Sequence, residues 1–212
     1  MRKYFYAPPN VLKKIYPNSI WTSLNYKVLI TFDDGPTPQV TSEVLKQLEQ
    51  YNIKSVFFCQ GENLDGNSKI INEILERGHT IGAHGWHHNK ITKMTNAKIL
   101  DDISKMNEIL FSKYNYEIKY FRAPYGRIYP YQASMLGKIG IKNVMWSLVT
   151  YDYESDLNKV KYAVDNYLSS NSIVVLHDSF SSHKILSKSI DYLYESIQKN
   201  NFEIGTPEEC LK

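Results

Sequence analysis

Two adjacent carboxylates, two histidines four residues apart, and a histidine ending an apolar run are the groups best suited to chemistry in this chain. Asp33 and Asp34 precede Gly35-Pro36, His84 and His88 bracket Gly85-Trp86-His87, and His177 follows Ser172-Ile173-Val174-Val175-Leu176. Two imidazoles and one carboxylate are a common ligand set for a catalytic zinc, because they leave one position open for water. Four residues make about one helical turn, so a helix over 84–88 would stack both rings on one face. Each feature also has a plainer explanation. Asp33-Asp34-Gly35 is a turn sequence in its own right, and His177 would also serve as a core histidine donating to Asp178. Neighbouring strand residues face opposite ways, so both aspartates serve one site only where strand gives way to turn. His79, His87 and His183 read as structural or solvated.

The elements that must position these groups alternate. Apolar runs at 28–32, 55–59, 80–83, 118–121, 141–148 and 172–176 read as buried strands, with 202–204 as a short seventh. Between them lie helical stripes such as Val40, Val44, Leu45 and Leu48, or Ile99, Ile103, Met106 and Leu110. Gly78 and Gly140 stand where left-handed caps require glycine. Strand alternating with helix implies parallel strands joined by crossover helices. No glycine-rich phosphate loop follows the first strand, so the pattern predicts an α/β fold, a distorted, nearly closed (β/α) barrel of about seven parallel strands. Such barrels build active sites at the C-terminal strand ends. Asp33 and Asp34, His84 and His88, Arg122, Asp152 and His177 all fall at such ends. Together they outweigh the plainer explanation that each has alone.

Composition bounds the rest. The 212 residues, 42% apolar and 22% charged, supply one substantial core. Residues 1–25 read as an N-terminal extension packed on a catalytic domain of 26–212. Lys and Arg number 25 against 22 Asp and Glu, too even a balance to point to nucleic acid or a membrane surface. No apolar run reaches the length of a membrane span. Met1-Arg2-Lys3-Tyr4-Phe5-Tyr6-Ala7-Pro8-Pro9 has basic residues but no apolar stretch behind them, so a cytoplasmic location is expected. Cys59 and Cys210 are distant in sequence, and Cys59, inside an apolar run, reads as a packed thiol. The 17 tyrosines read mostly as packing and rim residues.

From Tyr26 to the C-terminus the sequence resembles the polysaccharide deacetylase family, also called carbohydrate esterase family four. The family's motifs occur in order as Thr31-Phe32-Asp33-Asp34-Gly35-Pro36, His84-Gly85-Trp86-His87-His88, Arg122-Ala123-Pro124-Tyr125-Gly126, a weakened Thr150-Tyr151-Asp152-Tyr153, and Val175-Leu176-His177. The resemblance implies a hydrolase that removes N-acetyl groups from an acetylated amino-sugar substrate. It implies Asp34, His84 and His88 as ligands of a divalent metal, usually zinc, with cobalt or nickel as substitutes. Asp33 would be the general base and His177 the general acid. Arg122 would orient Asp33, Asp152 would keep His177 protonated, and the Tyr125 backbone N–H would help hold the oxyanion.

Departures from the pattern bear on the substrate. Gly85 replaces a usual Ser or Thr, Val149 stands where many members carry an aspartate, Tyr153 replaces a tryptophan, and Val175 replaces a leucine of the acetyl pocket. Trp86, Tyr125 and Tyr153 would either stack on sugar rings or pack the rim. The family resemblance extends to O-acetyl esterases of xylan and to enzymes opening cyclic amides, and a degenerate glycan-binding member is a further alternative. A cytoplasmic enzyme would act on a small or lipid-linked amino-sugar precursor.

Overall fold

A computed structural model describes residues 5–212; Met1 to Tyr4, with the basic residues of the extension's start, lie outside them. Eight strands run parallel in one sheet: β1 (Ser19–Ile20), β2 (Leu29–Asp33), β3 (Val56–Cys59), β4 (Thr80–Ala83), β5 (Tyr120–Phe121), β6 (Lys142–Val144), β7 (Leu148–Val149) and β8 (Ile173–His177). Their order is β1-β6-β5-β4-β3-β2-β8-β7. The helices are α1 (Asn10–Ile15), α2 (Pro38–Gln50), α3 (Ser68–Glu76), α4 (Asn96–Tyr114), α5 (Pro130–Lys138), α6 (Leu157–Tyr167), α7 (His183–Lys199) and α8 (Pro207–Leu211). No helix among the described residues is long and apolar enough to cross a membrane.

The sheet curls into a distorted, incompletely closed barrel. β6 and β7 lie toward opposite ends of the strand order, yet only Met145 to Ser147 separate them. Four residue steps span at most about 14 Å, so the two edges must approach each other. The stretch 141–148, read from sequence as one strand, therefore divides. The Arg122 side chain takes the carbonyls of Val144 and Met145, each at 3.1 Å, and the Met145 N–H donates to Ile20 O. With β1 added and 202–204 reduced to a single Val28–Ile204 bridge, the expected seven strands become eight.

Alternation along the strands sorts side chains between two layers. Ile30, Phe32, Phe57, Cys59, Ile81, Phe121, Val174 and Leu176 pack with the helices in the main core. Leu29, Val56, Phe58, Tyr120, Val144 and Ile173 form a smaller cluster with Cys210 and Leu211 of α8. α8, absent from the sequence reading, thus closes the N-terminal end of the barrel. The same period of two that turns Leu29 inward turns Thr31 and Asp33 inward in successive layers; Ile173 likewise leads to Val175 and His177. The barrel's packing register delivers polar side chains to its C-terminal rim.

Candidate active site

Asp33 closes β2 and pairs in register with His177, which closes β8. Neighbouring strands lie about 4.8 Å apart, so these side chains stand side by side on one face. Asp34 follows with φ +78°, outside strand geometry, and its carboxylate lines the same cleft as Asp33. The turn is held by Asp178, fully buried beneath it. The Gly35 N–H donates to Asp178 Oδ1 at 3.1 Å, Thr41 Oγ1 to Oδ2 at 2.5 Å, and the Asp178 N–H to Asp33 O at 3.2 Å. Burial, with Asp34's charge beside it, pushes the Asp178 carboxyl up to about 8. A Cβ on Gly35 would lie 2.0 Å from Asp178 Oδ2, so only glycine fits between the turn and its clamp.

The expected helix over 84–88 does not form. Gly85 at φ +76° and His88 at φ +54° fold the segment into a loop instead, and glycine alone adopts such a φ without cost. The Gly61 and Glu62 N–H groups bind the Gly85 and Trp86 carbonyls. The loop brings the His84 and His88 rings within 5.0 Å, centroid to centroid. A serine or threonine at 85 would be strained here, which accounts for Gly85 physically.

One donor atom from each of Asp34, His84 and His88 lies within 4.8 Å of the other two. Asp34 Oδ1 is 3.3 Å from His88 Nε2 and 3.8 Å from His84 Nε2. Tetrahedral ligands at about 2.0–2.2 Å from zinc sit about 3.3–3.6 Å apart, so the spacing fits a divalent cation after small adjustment. The proton count points the same way. His84 Nδ1 lies 2.8 Å from the Arg122 carbonyl, so Nδ1 must carry a hydrogen. Burial, the largest influence, lowers the His84 pKa despite the neighbouring aspartates. The neutral ring then aims the Nε2 lone pair at the oxygens of Asp34 and Asp33, 3.8 and 3.9 Å away. Lone pairs facing carboxylates repel unless a cation stands between them.

Arg122, fully buried, donates through Nη1 to Asp33 Oδ1 and Thr31 Oγ1, both at 2.7 Å, and its guanidinium lies 4.1 Å from the Phe58 ring centre. Burial alone would raise the Asp33 pKa, but the charge of Arg122, aided by His177, outweighs it and lowers the value. Asp33 is thus held as an ionised carboxylate. Across the cleft, Asp152 accepts from His177 twice, from Nδ1 and from the main-chain N–H, each at 2.8 Å. Burial pushes His177 down, yet the charge and hydrogen bond of Asp152, aided by Asp34 and Asp33, raise it to about 9. A carboxylate kept charged and an imidazole kept protonated therefore border one cleft of about 560 Å³.

The cleft also holds Tyr125, Tyr153 and Val175. Tyr125 adopts φ +59°, and its ring packs 4.5 Å from that of His88. The edge of Tyr153 meets His177 at 4.8 Å. Trp86 is placed elsewhere: its ring covers Gly61 and packs on the core outside this cleft. Besides Ser181, three aromatic wall residues have no role in the sequence reading. Trp146 lies in the stretch read as strand, Tyr151 in the weakened fourth motif, and Phe5 in the N-terminal extension, bonded through its N–H to Tyr151 Oη at 3.0 Å. From sequence, Asp178 is only a partner for His177; in the structure it holds the neighbouring strand's turn.

The family model for polysaccharide deacetylase matches residues 24–144. The chain belongs to that family. This deacetylase-family chain is 29% identical over 205 residues, 96% of its length, to the peptidoglycan-N-acetylglucosamine deacetylase PgdA of Listeria monocytogenes, of which it spans 42%. It is 36% identical over 129 residues, 61% of its length, to chitin deacetylase 1 of Saccharomyces cerevisiae, again spanning 42%. The chain thus spans about two fifths of the length of these relatives. A crystal structure of a peptidoglycan N-acetylglucosamine deacetylase superposes with a TM-score of 0.87 at 24% identity, covering 97% of each chain. That likeness shows the (β/α) barrel as a shared fold.

Proposed function

We propose that this chain is a divalent-metal-dependent hydrolase that removes N-acetyl groups from amino-sugar residues of a glycan. The observation that carries the reading is the convergence of Asp34, His84 and His88 donors beside the register pair Asp33 and His177. The names of the similar proteins, which act on peptidoglycan N-acetylglucosamine and chitin, support an acetylated amino sugar as substrate. The catalytic domain is 26–212, with the preceding segment packed on it through β1.

Asp34, His84 and His88 would hold the cation, of which zinc suits two imidazoles and a carboxylate best, with cobalt or nickel as substitutes. When bound, such a cation polarises a carbonyl and makes water acidic enough to lose a proton near neutral pH. Asp33, kept ionised by Arg122, takes that proton as the water attacks the acetamide carbon. The Tyr125 N–H helps hold the oxygen of the tetrahedral carbon. His177, kept protonated by Asp152, donates to the sugar nitrogen, because an amine anion is too poor a leaving group to depart unaided. Acetate and the free amino sugar result. Val175, Val149 and Trp146 wall the cleft floor and would seat the acetyl methyl, while Tyr153 and Tyr125 would meet the sugar ring.

Acetate release after reconstitution with zinc, cobalt or nickel tests this. Acetylated amino-sugar oligomers should react, while acetylated xylan and cyclic amides should not. Release from the xylan or ring opening alone would transfer the machinery to another bond, and inertness with every metal would remove the enzymatic reading.

A further inference from the structure

Two hollows of different chemistry adjoin the cleft at His88, one on the Asp34 side and one on the Tyr125 side. Past Asp34 and His88 the cleft adjoins a groove of about 490 Å³, where Gln60, Asn63, Asn67, Ser179 and Ser181 offer amides and hydroxyls. Past Tyr125 it adjoins a hollow of about 430 Å³ bordered by His88, Asn89, Lys90, Lys93, Met94 and Tyr125. The first arm has no charged lining group besides the proposed ligands. The second has two ammonium groups and no carboxylate.

These lysines differ from their neighbours. On α4, Lys98 pairs with Asp101 and Asp102, Lys105 with Asp101, and Lys113 reaches Asp65. Among the described residues no carboxylate pairs with Lys90 or Lys93, and both side chains are exposed. Lys90 Nζ stands 5.6 Å from the Tyr125 ring centre, and that ring stands 4.5 Å from His88. The ammonium is therefore no more than about 10 Å from a proposed metal-ligand ring. That distance suits a substituent on the sugar next to the one whose acetyl group lies among the donors.

We propose that the arm beyond Tyr125 is a subsite for an anionic substituent, with Lys90 and Lys93 as its cations and Tyr125, over whose ring Lys90 Nζ lies, marking its boundary with the reacting sugar. This makes the substrate an acidic amino-sugar chain laid across the metal site, neutral units on the amide side and an anionic unit on the lysine side. The proposal rests on the deacetylase reading for the orientation of the chain. An ammonium is a compact charge that accepts carboxylate or phosphate, so the anion's chemistry is shared between a sugar acid and a sugar phosphate. One exposed ion pair strengthens binding by roughly 1.5- to 5-fold, so two support a preference of about five- to tenfold.

Titration calorimetry of the full chain with three acetylated amino-sugar oligomers of equal length tests this directly. One oligomer is neutral, one carries carboxylates on alternate sugars, and one carries a terminal phosphate. At least one anionic oligomer should bind about five- to tenfold tighter than the neutral one, the preference shrinking as salt is raised. The Lys90→Gln/Lys93→Gln variant should reduce that ratio to about one, and the anion whose advantage disappears identifies the substituent. A ratio is insensitive to the fraction of protein that folds. Equal binding of all three oligomers by the unaltered chain, or a preference that survives in the variant, would overturn the subsite. Acetate release is scored separately, so an inactive protein that still prefers the anion would count against the deacetylase reading alone.

Discussion

Replacing Asp152 by asparagine tests how the acid is kept protonated. The new side chain fits the same space, and its amide oxygen can still accept the His177 main-chain N–H. Its NH2 group, however, faces Nδ1 and favours a neutral ring. Burial pushes His177 down and Asp152 is the first of the influences that raise it, to about 9. Without that carboxylate the value should fall to the ordinary histidine value of about 6.5 or below. At pH 8, a group titrating at about 9 is about nine-tenths protonated, and one at 6.5 about 3%. Turnover at pH 8 should therefore fall about 30-fold, and the alkaline limb of the kcat profile should move down by about 2.5 pH units. Stability follows with a definite sign. A raised folded-state pKa contributes stability that is complete below about pH 6.5 and lost as pH rises through about 9. Asp152→Asn should thus cost about 3 kcal/mol at pH 6 and much less at pH 10. Acetate release and urea denaturation across that range measure both effects. An alkaline limb that stays near 9 in the variant would refute the reasoning.

Two further substitutions probe the supports. Gly35→Ala forces a methyl to within 2.0 Å of Asp178, so the turn must shift; thermal denaturation should show a loss of about 1–3 kcal/mol, and metal titration a weaker site. Arg122→Met leaves the Asp33 carboxylate buried without its cation, which should cost about 3–5 kcal/mol. The same change removes a charge that lowers the Asp33 pKa, so the acidic limb of the activity profile should move to higher pH.

The barrel was legible because its helices carry stripes at helical spacing and its inner strands are short apolar runs ending in polar groups. Asp33, His84, Arg122 and His177 could be placed from that pattern alone. What escaped depends on long-range geometry. Nothing local in 141–148 marks the break, which exists because Arg122 takes two carbonyls and Met145 binds Ile20 across the barrel. β1 has only two residues and borrows its pairing from β6. The four-residue spacing of His84 and His88 suggested a helix, but Gly85 at positive φ makes the loop that joins the rings. Trp86 resembled a sugar platform by residue type and proves to cover Gly61 instead. Phe5, Trp146 and Tyr151 reach the cleft only through the closure of the barrel, which no short window of sequence displays.

Metal stoichiometry in a matched set of variants tests the account most directly. The unaltered protein, stripped with chelator and titrated with zinc, should bind one equivalent and regain acetate release. Asp34→Ala, His84→Ala and His88→Ala should each lose the tight equivalent, whereas Asp33→Asn should keep it without turnover. Tight binding that persists in all three ligand variants, or full activity in the chelated protein, would contradict the claim that these side chains hold a catalytic cation.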